Sequence, residues 1–240
     1  MVDADINNDI IGASVGHDGV KRGDLVRLYS ESLPPDASLK NTNLYGLEND
    51  SPSRQTARFA KEIGEAYVPA MHVDMQYRAD RYGRGGDHES FNEQGFAAVR
   101  FTEAAENFDH QHQDVRVENG IQYGDLIQFM DFDYLARVTQ INAAVMASLA
   151  SAPAKPKNAT TTNPPYIYDT TLSWTASAGA ASYEIVYRRS TQAQWTNAHN
   201  VGNVTTYTMK DLTKDNYQFG VRALDAQGHR SQVAFPALKK

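Results

Sequence analysis

No cysteine occurs in the 240 residues. Disulfides and thiolate chemistry are therefore excluded, and any metal would have to sit on His, Asp and Glu. The same absence leaves the compartment open, because a chain without thiols suits reducing and oxidising surroundings equally. No apolar run approaches the ~20 residues that a helix needs to cross a bilayer, which argues against a membrane span. No Lys/Arg run or basic stripe is present and the formal net charge is -6, so the electrostatic footprint of a nucleic-acid binder is missing. Nor is the composition that of a disordered chain: 41% hydrophobic and 22% charged residues describe an ordinary globular protein of one large or two modest domains. The opening Met1-Val2-Asp3-Ala4-Asp5-Ile6 has neither a basic leader nor an apolar leader core, so no signal peptide is read there. The chain passes almost at once into a strand pattern, and this abrupt start leads us to expect a missing upstream half.

The richest stretch runs from Arg84 to Asp114. It combines the Gly85-Gly86 pair, the Asp87-His88 dipeptide, a short apolar strand, and then Glu103, Glu106, His110, His112 and Asp114. Acids and imidazoles are the oxygen and nitrogen ligands of divalent metals, and adjacent glycines let the backbone approach a ligand closely. A solvated polar loop is the competing reading of the same residues. Upstream, DINNDIIG (Asp5–Gly12) reads as a strand ending in a turn. Asp9 stands where strand gives way to loop, the place at which ligands collect in open α/β sheets; a turn-capping aspartate is the alternative. Gly16, Gly19 and Gly23 match no phosphate-binding fingerprint, which leaves His17 a loop residue.

Between these stretches the patterns alternate. Leu25 to Tyr29 suggests a strand, followed by a polar connection through Pro34-Pro35. Ser51-Pro52 opens a helix with serine as cap and proline in the first helical position. Ala57, Ala60, Ile63, Gly64 and Tyr67 recur at helical spacing. Met71 to Tyr77 alternates as a strand that turns His72 and Asp74 away from the core. A short helix is expected from Asp87 or His88 to Gly95, a strand over Phe96–Phe101, and a long helix from Asp125 to Ala150 striped by Leu126, Met130, Tyr134, Val138, Ile141, Val145 and Leu149. Ala152 to Pro165, rich in Pro, Thr, Ala and Asn, reads as a linker. Beyond it, Thr171–Trp174, Ser182–Arg188, Thr206–Met209 and Tyr217–Ala223 form short alternating runs typical of an antiparallel sandwich. The expected domains are residues 1–150, a linker at 151–165, and 166–240.

Two resemblances follow. LSW around Trp174, YEIVYR from Tyr183, Asp211-Leu212, and YQFGVRALDAQG from Tyr217 to Gly228 resemble a fibronectin type III domain. NNDIIG, GGDHESFNEQGFAAVRFTE and HQHQD, in this order before the closing helix, resemble the C-terminal half of the catalytic domain of the co-catalytic zinc aminopeptidases. Bacterial leucyl aminopeptidases belong to that family, and glutamate carboxypeptidase, glutaminyl cyclase and the catalytically silent transferrin receptor are relatives. The implied fold is part of a three-layer α/β/α zinc-exopeptidase sheet domain followed by an all-β fibronectin type III sandwich.

The second resemblance implies two zinc ions in the intact site, with Asp9 the terminal carboxylate ligand of one and His110 the imidazole ligand of the other. Asp114 becomes a second acid near that imidazole, Asp87 and His88 shape the pocket without binding metal, and Arg84 and Tyr82 are candidate substrate contacts. Gln111 stands where a threonine is common, a departure that leaves the ligand untouched. The family's bridging Asp, first His, Glu ligand and general-base Glu all precede the Asp9 strand. The implied activity is therefore a zinc exopeptidase of aminopeptidase type acting on peptides, secreted or periplasmic, of which this truncated portion is inactive alone. Uncovered sheet surface suggests self-association. The alternatives are a non-catalytic scaffold that keeps the fold, or a gene relic.

Overall fold

The computed structural model describes residues 3–34, 37–162 and 166–238. Pro35 of the expected connection and residues 163–165 of the expected linker lie outside these. The chain divides into two compact units, Met1–Asp36 with Ala60–Val145, and Ala37–Phe59 with Met146–Lys240.

The first unit is built on strands β1 (Asp5–Asn8), β2 (Leu25–Ser30), β3 (His72–Gln76) and β4 (Ala98–Glu103). They form one mixed sheet in the order β1-β4-β2-β3. β1 runs parallel to β4 and β2 parallel to β3, while β2 and β4 are antiparallel. Paired on both sides, β4 is buried at all six positions. Its ladder extends to Glu103, which pairs with Val26. The strand therefore lies two residues later than the apolar pattern suggests, and Glu103 belongs to the sheet rather than to the loop after it. Val26, Leu28, Val73, Val99 and Phe101 are wholly excluded from solvent and supply the apolar part of the sheet's core.

Three helices carry residues of this unit: the later turns of α2 (Pro52–Tyr67, so numbered because α1, Leu39–Tyr45, precedes it), α3 (His88–Glu93) and α4 (Phe132–Ser151). Ser51 Oγ accepts the Arg54 N–H at 3.0 Å, the cap its sequence implied. The single buried face expected for α2 is not what forms. Residues 53–60 are buried on every side, whereas Tyr67 is 69% exposed.

The start of α4 also differs from expectation. Residues 127–129 make a short 3-10 turn, Met130 is extended, and the helix begins at Phe132 with Asp131 Oδ1 accepting the Tyr134 N–H at 3.0 Å. Asp131 outcompetes Asp125 as cap because Asp133 follows it in the first turn, where a carboxylate suits the helix dipole. The stripe of Tyr134, Val138, Ile141 and Val145 is fully buried, as its spacing requires. A hairpin of β5 (Arg116–Glu118) and β6 (Ile121–Tyr123) turns through Asn119-Gly120, both at positive φ. That Asn-Gly step between alternating residues is a direct hairpin signal in the sequence.

The second unit is a β-sandwich. One sheet has the order β10 (Asn197–Gly202), β9 (Ser182–Arg189), β12 (Tyr217–Leu224). The other has β11 (Thr206–Met209), β8 (Thr170–Thr175), β7 (Lys157–Thr162), β13 (Ala237–Leu238). β7 arises inside the Pro/Thr-rich stretch read as irregular, where a run of β-branched threonines favours extended pairing. Leu172, Trp174, Tyr183, Ile185, Phe219 and Val221 fill the core.

The unit also includes residues 37–59, where α1 appears in a stretch expected to be only a polar connection. Asp50 Oδ1 accepts from Arg58 at 2.9 Å and from Gln55 at 3.2 Å, and its Oδ2 accepts from Arg188 of β9 at 2.7 Å. Trp195 lies under both guanidiniums, 5.5 Å from Arg58 and 5.2 Å from Arg188, and donates its indole N–H to Gln55 at 3.0 Å. These contacts explain why polar side chains on the first turns of α2 are buried.

Candidate functional site

A cleft of about 710 Å³ opens in the first unit where β1 and β4 end. One wall is the turn after β1, from Asp9 to Ala13. Gly12 makes room for Met130: a Cβ there would come within 2.3 Å of the Met130 methyl and push that side chain aside. Glu103 closes the end of β4, Arg81, Arg84 and Gly85 come from the loop after β3, and Asn107, His110, Gln111 and His112 from the segment after β4. Phe129, Met130 and Leu135 add an apolar side.

Asp9 is 45% exposed at its side chain and sets one carboxylate oxygen 2.7 Å from a guanidinium nitrogen of Arg100. Arg100 is entirely buried; it also reaches Asp80 Oδ2 at 2.8 Å and the Gly85 carbonyl at 2.7 Å. Burial raises the Asp80 carboxyl, but the Arg81 and Arg100 hydrogen bonds outweigh it and hold the group below the usual carboxylate range. Glu106 is similarly gripped by Arg27 at 3.0 Å, Arg81 at 2.5 Å and Arg84 at 3.1 Å. Its carboxyl too lies below the usual range, the guanidiniums overcoming burial.

His110 ends a short 3-10 turn at residues 108–110, started by Asn107 Oδ1 accepting the Asp109 N–H at 3.1 Å. Its ring stacks on Phe129 with centroids 3.5 Å apart and planes 7° from parallel. Burial lowers its pKa and outweighs the opposing pull of Asp109 and Asp125. The imidazole is thereby held neutral near pH 7, the form that ligates metals.

Of the side chains picked out in the sequence, Asp9, Arg84 and His110 line this cleft. Tyr82, Asp87, His88 and Asp114 do not. Tyr82 is 90% exposed, with the Arg78 guanidinium 5.5 Å over its ring. Asp87 precedes α3 without making a capping bond, and Asp114 is exposed. His88 is fully buried and hydrogen-bonds the Ala79 carbonyl through Nε2 at 2.9 Å. Asp80, His88 and Glu89 do bring three ligand-type atoms together. Yet both Asp80 oxygens are already held by Arg81 and Arg100, and a dication would have to displace those guanidiniums. The donor set of Asp9 and His110 fits a metal better: a half-open carboxylate and a neutral imidazole whose ring nitrogens have no hydrogen-bond partner among the described residues.

The important residues missed in the sequence are Arg100 and Phe129. Arg100 sits in an alternating strand pattern where a charge signals an outward face, and only the acids around it explain its burial.

Glu103 is the one acid on the cleft's lining whose carboxyl is pushed well above its ordinary range. Burial pushes its carboxyl up to about 7, against the Ala13 N–H that its Oε2 accepts at 2.9 Å. An acid raised in the folded state stabilises fully below its unfolded value near 4.5 and loses that contribution as pH climbs to the folded value. Glu103→Gln is expected to remove a pH-dependent loss of about 3 kcal/mol between about pH 4.5 and pH 8, since a tenfold change in proton affinity corresponds to ~1.4 kcal/mol. Urea unfolding at the two pH values measures it, with the variant giving the flatter profile.

No protein-family model matches the chain. Curated proteins similar to it are each named probable zinc metalloprotease. One from Pyrenophora tritici-repentis is 42% identical over 98% of this chain and 50% of its own length. One from Leptosphaeria maculans is 43% identical over 98% and 56%, and one from Pyricularia oryzae 43% identical over 98% and 49%. The chain thus spans about half the length of the curated relatives it matches. Among solved structures, an Fn3-like protein from Clostridium thermocellum shares 23% identity over 38% of this chain and 97% of its own, with a TM-score of 0.32. The FN5 domain of Drosophila Lar shares 20% over 35% and 98%, with a TM-score of 0.27. No helix among the described residues is long and apolar enough to cross a membrane.

Proposed function

We propose that this chain forms one wall of the active site of a zinc-dependent exopeptidase of aminopeptidase type and also carries a fibronectin type III-like sandwich. The observation that carries the reading is the meeting of Asp9 and His110, remote in sequence, on one cleft. The relatives' shared name, probable zinc metalloprotease, agrees with zinc and peptide hydrolysis. Asp9 would give its free oxygen to one ion and His110 a ring nitrogen to the other. Bound zinc would supply Lewis acidity and an acidified water. The protein's own groups do the rest: Phe129 fixes the imidazole plane, Arg100 aims the Asp9 carboxylate, and Met130 and Leu135 keep one side of the cleft apolar.

Catalytic zinc normally holds three protein ligands, so two residues on one wall make a weak site, and the general base belongs to the part of the longer protein that faces them. On this reading residues 1–240 alone turn over no peptide, the intact protein works outside the cell or in the periplasm, and uncovered sheet surface can drive self-association. A scaffold role is the second reading, favoured by the grip of Arg100 on the carboxylate that a metal would need.

Zinc titration of the 240-residue chain, followed by His imidazole NMR signals, separates the two. The metallopeptidase reading expects weak, saturable binding at His110 that His110→Ala abolishes, with Asp9→Ala lowering the number of ions bound. Binding indifferent to both substitutions, or absent from the unaltered chain, removes the assignment.

A further inference from the structure

Three Asn-x-Ser/Thr triplets occur in the chain: Asn49-Asp50-Ser51, Asn158-Ala159-Thr160 and Asn203-Val204-Thr205. Such a triplet is the signal for attaching a glycan to its asparagine, and the product is bulky and hydrated, so it suits only an asparagine that stays in solvent once the chain folds. All three lie in the second unit, and their surroundings differ. Asn49 is half-buried. Its Oδ1 accepts from Arg54 at 2.5 Å, its backbone carbonyl accepts from Arg58 at 2.7 Å, and the Ser51 hydroxyl is taken up as the cap of α2. Asn158 is exposed, but it lies inside β7 at φ 53°, where the β7–β8 register slips between Lys157 and Thr160. Its Nδ2, the atom that would carry the sugar, donates to Thr175 Oγ1 at 3.1 Å.

Asn203 meets both demands, exposure and a free amide. Asn203, Val204 and Thr205 make up the whole connection between β10 and β11, and all three are exposed. Neither the Asn203 carboxamide nor the Thr205 hydroxyl has a hydrogen-bond partner among the described residues. The backbone around them is fixed all the same. Gly202, at φ 72°, donates its N–H to Asn200 Oδ1 at 2.9 Å, and the Thr205 carbonyl accepts the Trp174 N–H at 2.9 Å. Bulk is also useful at this place. β10 has a neighbour on one side only in its sheet, and so has β11 in the other, so the connection joins the two unpaired edges on one flank of the sandwich. An unpaired edge offers free N–H and C=O groups to a strand of another chain, and an obstruction beside it blocks that pairing.

We propose that Asn203 is an acceptor for an N-linked glycan, and that this glycan screens the β10 and β11 edges against pairing with a second chain. The donor is a lipid-linked oligosaccharide pyrophosphate. A bond forms between Asn203 Nδ2 and the anomeric carbon of the first sugar, and the bond from that carbon to the pyrophosphate oxygen breaks. The amide nitrogen loses one proton and the lipid pyrophosphate leaves, so the transfer needs no oxidant or reductant. Transfer takes place on the extended chain as it enters a lumen; the fold supplies the remaining condition, an acceptor whose side chain takes no part in packing. Natural passage through such a lumen rests on the extracellular part of the reading above, whereas the capacity of Asn203 as an acceptor does not.

The test translates the full 240-residue chain, behind a leader peptide, into microsomes that hold the transferase and its lipid-linked donor. Each attached glycan retards the chain by one step on a denaturing gel, and an amidase specific for N-linked sugars abolishes the step. Asn203→Gln and Thr205→Val are each expected to remove one step, Thr205→Ser to keep it because the hydroxyl returns, and Asn49→Gln to remove none. A ladder unchanged by Asn203→Gln, or one that loses a step with Asn49→Gln, overturns the assignment. The gel is denaturing, so the result does not depend on whether a variant folds. Screening is read by light scattering on the unaltered chain and on Asn203→Gln, both secreted by the same eukaryotic host. The variant is expected to self-associate at about tenfold lower concentration, since its edges are bare; equal association overturns the screening role. Zinc enters neither measurement, so this proposal and the metallopeptidase reading fail separately.

Discussion

Replacing Asp50 with alanine is expected to cost about 3–5 kcal/mol, the usual penalty for removing one partner of a buried ion pair. The side chains of Asp50, Arg58 and Arg188 are only 1%, 3% and 2% exposed. One carboxylate thus neutralises two guanidiniums that have no water to turn to. Without it, both positive charges stay buried over the same indole, and their contacts with Trp195, worth about 0.5–2 kcal/mol each, cannot offset that repulsion. Urea unfolding monitored by tryptophan fluorescence should show a large fall in midpoint. Asp18→Ala provides the contrast: Asp18 pairs with Arg22 at 2.6 Å on the surface, and exposed pairs of this sort contribute little, so its midpoint should barely move. Similar midpoints for the two variants would mean that the buried network is not structural.

Arg100→Met should be nearly as damaging, again by about 3–5 kcal/mol, with a distinctive dependence on pH. In the unaltered protein Asp80 lies below its ordinary value. Its contribution is therefore complete above the unfolded pKa near 3.8 and drains away as pH falls through the folded value. Methionine fills much of the space of arginine but leaves Asp80 with Arg81 as its only guanidinium partner, beside His88 at 3.7 Å. Burial then weighs more heavily, the folded pKa rises, and the protonated acid becomes the better-tolerated form. The stability gap between the unaltered protein and the variant should be widest near pH 7 and narrow toward pH 4. A gap independent of pH would show that lost packing, not lost charge compensation, explains the defect.

Both predictions concern arginines that the sequence hides, and this marks where sequence reading stops. Strands such as Leu25–Tyr29 and Thr206–Met209, and the stripe on α4, were legible because period and burial coincide there. The NNDIIG and HQHQD motifs single out Asp9 and His110 but do not say that both line one cleft, because that depends on the β1–β4 pairing and the 3-10 turn. Arg100 and Arg188 break the rule that charge marks an outward face, since each is buried against acids from distant segments, Asp80 in one unit and Asp50 in the other. The later start of α4 was recoverable in principle, because Asp131 and Asp133 compose a better helix opening than Asp125. The strand at Lys157–Thr162 was obscured by flanking prolines, which bias composition toward a linker even where threonines between them prefer to pair.

The trio around Trp195 has a bearing on how such a sandwich can travel between genes. A recombination event that lifted out only residues 152 to 240 would carry Arg188 into its new host and leave Asp50 behind. The transplanted module would arrive with an uncompensated cation in its interior, and its survival would depend on an acid acquired at the new address. Inheritance should therefore keep the 37–59 stretch and the sandwich together, although a long run of other structure separates them along the chain.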